Sequence, residues 1–218
     1  TTLTNSGDVS GSGELIKQGR GTLVLSGALA HAGGTTLDNG LLVLSGQNTY
    51  TGGTTLNGGV LQISSDANLG DAAGALTFNG GTLRSTDSLA LQRELQIEGM
   101  ATLDAAADTR LTLTEAVSGA GVLLKQGAGS RGRDTASTHR GGTGITAGSV
   151  VRANAGGLGQ GALVLSDATL HTTVDTTLAQ SMLLNAGGTL QVDGGTTTTL
   201  AGAVDGSANT GCFTKTGA

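Results

Sequence analysis

Three close pairs of acids in this 218-residue chain are candidates for an acid and a base acting on a sugar: Asp66 with Asp71, Glu94 with Glu98, and Asp104 with Asp108. Hydrolysis of a glycosidic bond needs two carboxyls held roughly 5–9.5 Å apart across a cleft. None of these acids has an aromatic neighbour in sequence on which a sugar ring would stack, so each pair reads as solvated loop acids. His31, His139 and His171 stand far apart, none at metal-ligand spacing, and read as solvent-facing loop residues, so neither a metal nor a cofactor is expected. No Gly-x-Ser-x-Gly elbow surrounds a serine, and no catalytic residue is assigned. The single Cys212 cannot close an internal disulfide and aligns with Glu14 and Val122 as a rim residue. One cluster of positive charge remains, in AGSRGRDTASTHR at 128–140. Arg131, Arg133, His139 and Arg140 are the candidate binding residues there, able to dock an anionic glycan or a partner through charge-assisted hydrogen bonds; a decayed structural coil accounts for the same residues.

The elements that would position these groups are written in a repeat. Residues 33–45, GGTTLDNGLLVLS, return at 52–64 as GGTTLNGGVLQIS, nineteen places on, and Leu23 to Gly27 return at Leu42 to Gly46 with the same offset. Apolar residues sit at i and i+2 in Leu23/Leu25, Leu42/Leu44, Leu61/Ile63, Leu76/Phe78, Leu95/Ile97, Leu111/Leu113, Leu163/Leu165 and Leu190/Val192. Period two means strand with one face inward. Asn-, Asp- and Gly-rich corners separate the strands. Units in the same order at a fixed offset stack like on like, so the strands pair in parallel and the fold is an all-β solenoid, a parallel β-helix of about ten coils.

A longer period overlies the first. VSGSGELIKQG from Val9 recurs from Val117 and, more loosely, from Val204, which sets superrepeats at about 9–116 and 117–203 and a partial one at 204–218, four coils each, within a single segment. Two places break the pattern. The coil at 128–140 is expected to bulge or loosen, and Arg152 stands at the inward position of Ile63, so the strand is expected to slip or the guanidinium to reach out. Only 86–98 has helix-forming content, enough for a loop or a short turn of helix.

Composition narrows the function. Forty glycines, no proline and no tryptophan leave a core of small aliphatics, while 37% apolar and 12% charged residues argue against disorder. A net charge of −5 argues against a nucleic-acid groove. No apolar run is long enough to span a bilayer and no export signal opens the chain, so whatever exports or anchors it is expected outside it. The chain stops mid-phrase at KTGA and reads as a piece of a longer rod.

The phrase running through 19–64, closest at LVLSGQNTYTGGTTLNGGVLQIS (42–64), resembles the passenger-associated repeat of Gram-negative autotransporters. The resemblance implies a right-handed parallel β-helix displayed at the cell surface and exported through a C-terminal outer-membrane barrel that lies outside this chain. It implies a stem supporting adhesion or self-association and efficient secretion, with a host surface glycan or protein, or another copy of the chain, as partner. The family also includes enzymes on the same stem, and a polysaccharide-acting lyase or hydrolase is the alternative.

Overall fold

In the computed structural model, which describes residues 1–133, 137–152, 157–206 and 212–217, the chain winds as a parallel β-helix with three faces. The first face is continuous. Its eleven strands run from Thr2–Asn5 to Val204–Asp205, one per coil, each 19 to 22 residues after the last. The second face begins with Val9–Gly11 and Leu29–His31, lapses for two coils, and resumes with seven strands from Leu89–Leu91 to Phe213–Thr216. The third carries six strands from Leu15–Lys17 to Val117–Ser118, lapses, and resumes with Thr176–Leu178 and Thr198–Leu200.

Leu23, Leu42, Leu61, Leu83 and Leu103 are successive register partners, so the sequence repeat becomes one aliphatic column. No coil has a core of its own. Each strand buries its alternate side chains only because the coils above and below close over them. Two apolar clusters result, one ending at Leu123 and the other starting at Ile145. Around their junction the inward positions hold Lys125, Arg131 and Arg152, all at most 1% exposed.

Three expectations are corrected. Residues 86–98 form two strands, Leu89–Leu91 and Leu95–Ile97, because period-two burial on a waiting sheet outweighs the weak preference of Glu, Gln and Arg for helix. The helical turn is instead Asp66–Leu69, a 3-10 turn whose entry is fixed by Ser65 and Asn68 in a reciprocal cap. The second correction is the coil at 128–140. Over Ser130–Arg133 it keeps register with both neighbours, Ser130 pairing Arg110 on one side and Ser149 on the other. Ladder hydrogen bonds are made by the backbone, so two formed neighbours template a strand of Ser, Gly and Arg. Residues 134–136 lie outside the described ones. Third, Arg152 neither slips nor reaches out. It faces inward at 1% exposure, and Val150 stays buried with it, because a one-residue slip would turn Val150 to solvent.

The long period does not span a whole number of coils. Leu15–Lys17 lies on the third face, whereas the matching Leu123-Leu124-Lys125 lies on the first and Phe213–Thr216 on the second. Each recurrence of the phrase is turned by one face. The lysine does the same work on each side. The Lys17 ammonium donates to the carbonyls of Gln18, Gly19 and, one coil on, Asn39, at 2.7–3.0 Å. That of Lys125 donates to Gln126, Gly127 and, one coil on, Ala147. Lys215 reaches Gly217 O in the same way.

Candidate functional site

The described members of the charged cluster at 128–140 separate rather than converging on a surface. Arg131 is fully buried in a second-face column, between Leu111 and Val150. His139 is also fully buried. Arg140 is exposed and lines a shallow depression of about 410 Å³ with Thr138, Gln160, Gly119 and Ala120. The side chain of Arg133 lies outside the described residues.

His139 has a structural counterpart that its sequence context conceals. Tyr50, Thr54, Leu69 and Gly70 recur 89 residues later as His139, Thr143, Leu158 and Gly159. In the first set the Tyr50 hydroxyl and Thr54 Oγ1 are 2.7 Å apart; in the second, His139 Nε2 and Thr143 Oγ1 are 3.2 Å apart, and Thr143 donates to Leu158 O. His139 Nδ1 also meets Ser137 Oγ. Gly70 and Gly159 share a φ of +74°, and a Cβ at either would press on the ring, at 2.8 Å from Tyr50 and 2.5 Å from His139. Only glycine combines that backbone angle with room for the ring. His139 is thus a core group of a corner.

His31 belongs to the same device one coil earlier. Its Nε2 reaches Thr35 Oγ1 at 3.3 Å, and its ring stacks on Tyr50 at 4.9 Å and 10°. The reading of the histidines as solvent-facing therefore fails for His31 and His139, because a corner that must be filled takes a flat ring with a polar tip. His171 is partly exposed and bridges Asp193 at 2.6 Å. Thr54 is likewise inward, claimed by Tyr50. Among the described residues no group of three metal-binding side chains occurs.

The side chains of four of the six paired acids have partners. Asp66 accepts from Arg93 through both oxygens, at 2.9 and 3.2 Å. Arg93 is 1% exposed, and its guanidinium also donates to the carbonyls of Asp66, Leu69, Gly70, Asp71 and Gly74. Asp71 Oδ1 caps Ala73 N. Asp104 lies in a strand, not a loop, and bridges Arg84 at 2.9 Å. Asp108 takes a positive φ in a turn, and Glu94 accepts from Ser118. Above Arg93 the lapse in the second face leaves a depression of about 560 Å³ rimmed by Ser64, Ser65, Asp66, Ser88 and Gln92. Asn48 lines it and, with the buried Asn68, forms a two-rung amide ladder. Leu29 N donates to Asn48 Oδ1, Asn48 Nδ2 to Asn68 O, and Asn68 Nδ2 to Gly46 O. Sequence reading missed Arg93 and both asparagines. Arg93 stands two residues from both Leu91 and Leu95, so the period of two placed it inward and only its charge argued otherwise.

Burial pushes the Lys125 ammonium down to about 8, with Arg131 adding to the fall and Asp104 opposing it. A lysine whose folded value lies below its unfolded 10.5 resists protonation in the fold, so its burden is complete below pH 8 and is lifted as pH rises from about 8 toward 10.5. Stability is expected to climb over pH 8–10, and Lys125→Met, which continues the column from Leu103 to Ile145, should abolish that climb. Chemical denaturation at stepped pH checks both. Above pH 10 the buried Tyr50 phenol, pushed up by burial, adds the opposite slope. A climb that persists in Lys125→Met would assign it to another group.

Comparison with known proteins agrees with the fold. The family described as passenger-associated-transport-repeat matches residues 15–43 and 38–63. An adhesin, the BmaC autotransporter of Brucella suis biovar 1 (strain 1330), is 38% identical over 122 residues, 56% of this chain and 3% of its own length. The chain therefore spans a small part of that relative. No solved structure matches. The matched repeat covers the coils in which Tyr50 stacks on His31 and the leucine column begins, and over those coils this parallel β-helix is similar to the repeats of autotransporter passengers.

Proposed function

We propose that this segment is a non-enzymatic stem, which holds the adhesive or self-associating surfaces of its passenger away from the cell and helps the passenger through export. The observation that carries the reading is the continuous first face, eleven parallel strands over one inward column with no lapse. Stacked coils share every hydrogen bond and apolar contact with their neighbours, which suits a long, stiff spacer. The acids that a polysaccharide-acting enzyme would use are engaged instead, Asp66 by Arg93 and Asp104 by Arg84.

Deleting residues 9–64 from the full-length protein is expected to reduce the amount displayed at the surface several-fold, while ligand binding per displayed molecule stays unchanged. Surface labelling and an adhesion assay on the same cells read the two quantities. Undiminished display would overturn the secretion role. Release of sugar fragments from a glycan panel, lost in Asp104→Ala, would overturn the non-enzymatic reading.

A further inference from the structure

The outer side of the first face has an unusual distribution of charge. Counting outward residues in its strands from Thr22–Leu25 to Leu163–Leu165, the ionised groups are Arg84 and Asp104, on adjacent coils at the middle, 2.9 Å apart. On one side of them lie Val60, Leu41 and Val24; on the other lie Leu124, Val164, and the exposed Met100 and Val122. Gln62 and Gln126 flank the charges, one coil to either side.

Over the four central coils that order is self-complementary, with Gln62, Arg84, Asp104 and Gln126 in one column and Val60, Thr82, Thr102 and Leu124 in the next. A second copy laid face to face, related by a two-fold axis along the strands between Thr82–Ser85 and Met100–Ala105, keeps each column and reverses the coils. Arg84 then meets the partner's Asp104 and Asp104 the partner's Arg84. One coil out, Gln62 meets Gln126 and Val60 meets Leu124. Two coils out, Leu41 meets Gly144, which is buried beneath the Leu124 side chain, so Leu41 packs on Leu124 there. Self-complementarity of this kind is what an isologous contact requires, and sheets packed face to face interdigitate at ~10 Å. We propose that this face is a homodimer interface in which two stems lie antiparallel, clasped at the centre by a reciprocal Arg84–Asp104 quartet. The inference rests on the stem reading and names the partner as a second copy of this chain.

Eight coils at ~4.8 Å and strands of ~13 Å give roughly 500 Å² of face per copy, the low end for specific association. The dimer is therefore a weak one, forming at about 10–100 μM, which suits rods concentrated on a cell surface.

Sedimentation equilibrium of the full chain up to about 200 μM tests it, with Arg84→Asp and Asp104→Arg made separately. Each variant places like charges at the centre and should sediment as a monomer. Mixed in equal amounts they should form a heterodimer, because the paired carboxylates of the first variant then face the paired guanidinium groups of the second. The mixture is decisive, since neither variant can rebuild the bridge within its own chain. Circular dichroism confirms folding, and should either variant misfold, Val60→Thr with Leu124→Thr provides a neutral substitute expected to weaken dimerisation at least tenfold. Monomeric wild type at all concentrations overturns the proposal, as does a wild-type dimer whose variants also dimerise alone, or a mixture that stays monomeric. A host glycan or protein retained by this face without dimerisation overturns it too. None of these results touches the stem role, which surface yield tests independently.

Discussion

Arg93→Met is expected to lower stability by roughly 3–5 kcal/mol, the range for removing one partner of a buried ion pair. The side chain sits at 1% exposure and makes seven hydrogen bonds, two to the Asp66 carboxylate and five to loop carbonyls between Asp66 and Gly74. That loop replaces a strand on the second face, so it has no ladder to hold it. Its carbonyls converge on one planar cation. Methionine fills the volume but satisfies none of them and leaves Asp66 facing an apolar group at 18% exposure. Arg93→Lys should recover little, because one ammonium with three donors cannot span contacts from Asp66 to Gly74. Amide exchange is the better readout than a single melting curve, since stacked coils open locally and need not unfold as one unit. Protection should fall first over 66–74 and in Leu76–Phe78. A loss below about 1 kcal/mol, with protection over 66–74 intact, would mean the loop supports itself.

Tyr50→Ala should cost about 3–5 kcal/mol, as expected for truncating a fully buried aromatic. Three losses combine: the stack on His31, the hydrogen bond to Thr54, and the ring that fills the corner against Gly70. Tyr50→Phe isolates the second, since it keeps the ring and leaves Thr54 Oγ1 seeking a partner at 1% exposure; about 1 kcal/mol is expected. The ratio between the two variants, measured by denaturation midpoint, tests whether the corner is held by packing or by its hydroxyl. Equal effects would place the stabilisation in the hydrogen bond and would remove the packing role assigned here. His139 should behave as a weaker version of the same device, having a smaller ring and a longer contact to its threonine, 3.2 Å.

The architecture was legible because its cause is local and repeated. A nineteen-residue offset with leucines at i and i+2 leaves little choice but parallel stacking, and Leu23, Leu42 and Leu61 do stand in one column. Where the phrase from Val9 recurs, Lys17 and Lys125 both spend their ammonium groups on corner carbonyls. Legibility failed where a residue's type and its position disagree. Arg93, Arg131, Arg152 and Lys125 are charged yet inward, and their types pointed to solvent, to a docking patch or to a slipped strand.

Sequence alone determined the period, the parallel order of the strands and the aliphatic core, because each follows from spacing along the chain. Tertiary structure alone decided which polar groups go inside and what they hold. The carbonyls that receive Arg93 belong to the previous coil, and the glycine that admits Tyr50 lies twenty residues on. Partners a full turn apart are neighbours only after the coil closes. Until then nothing in the chain shows what a guanidinium at an inward position will find there.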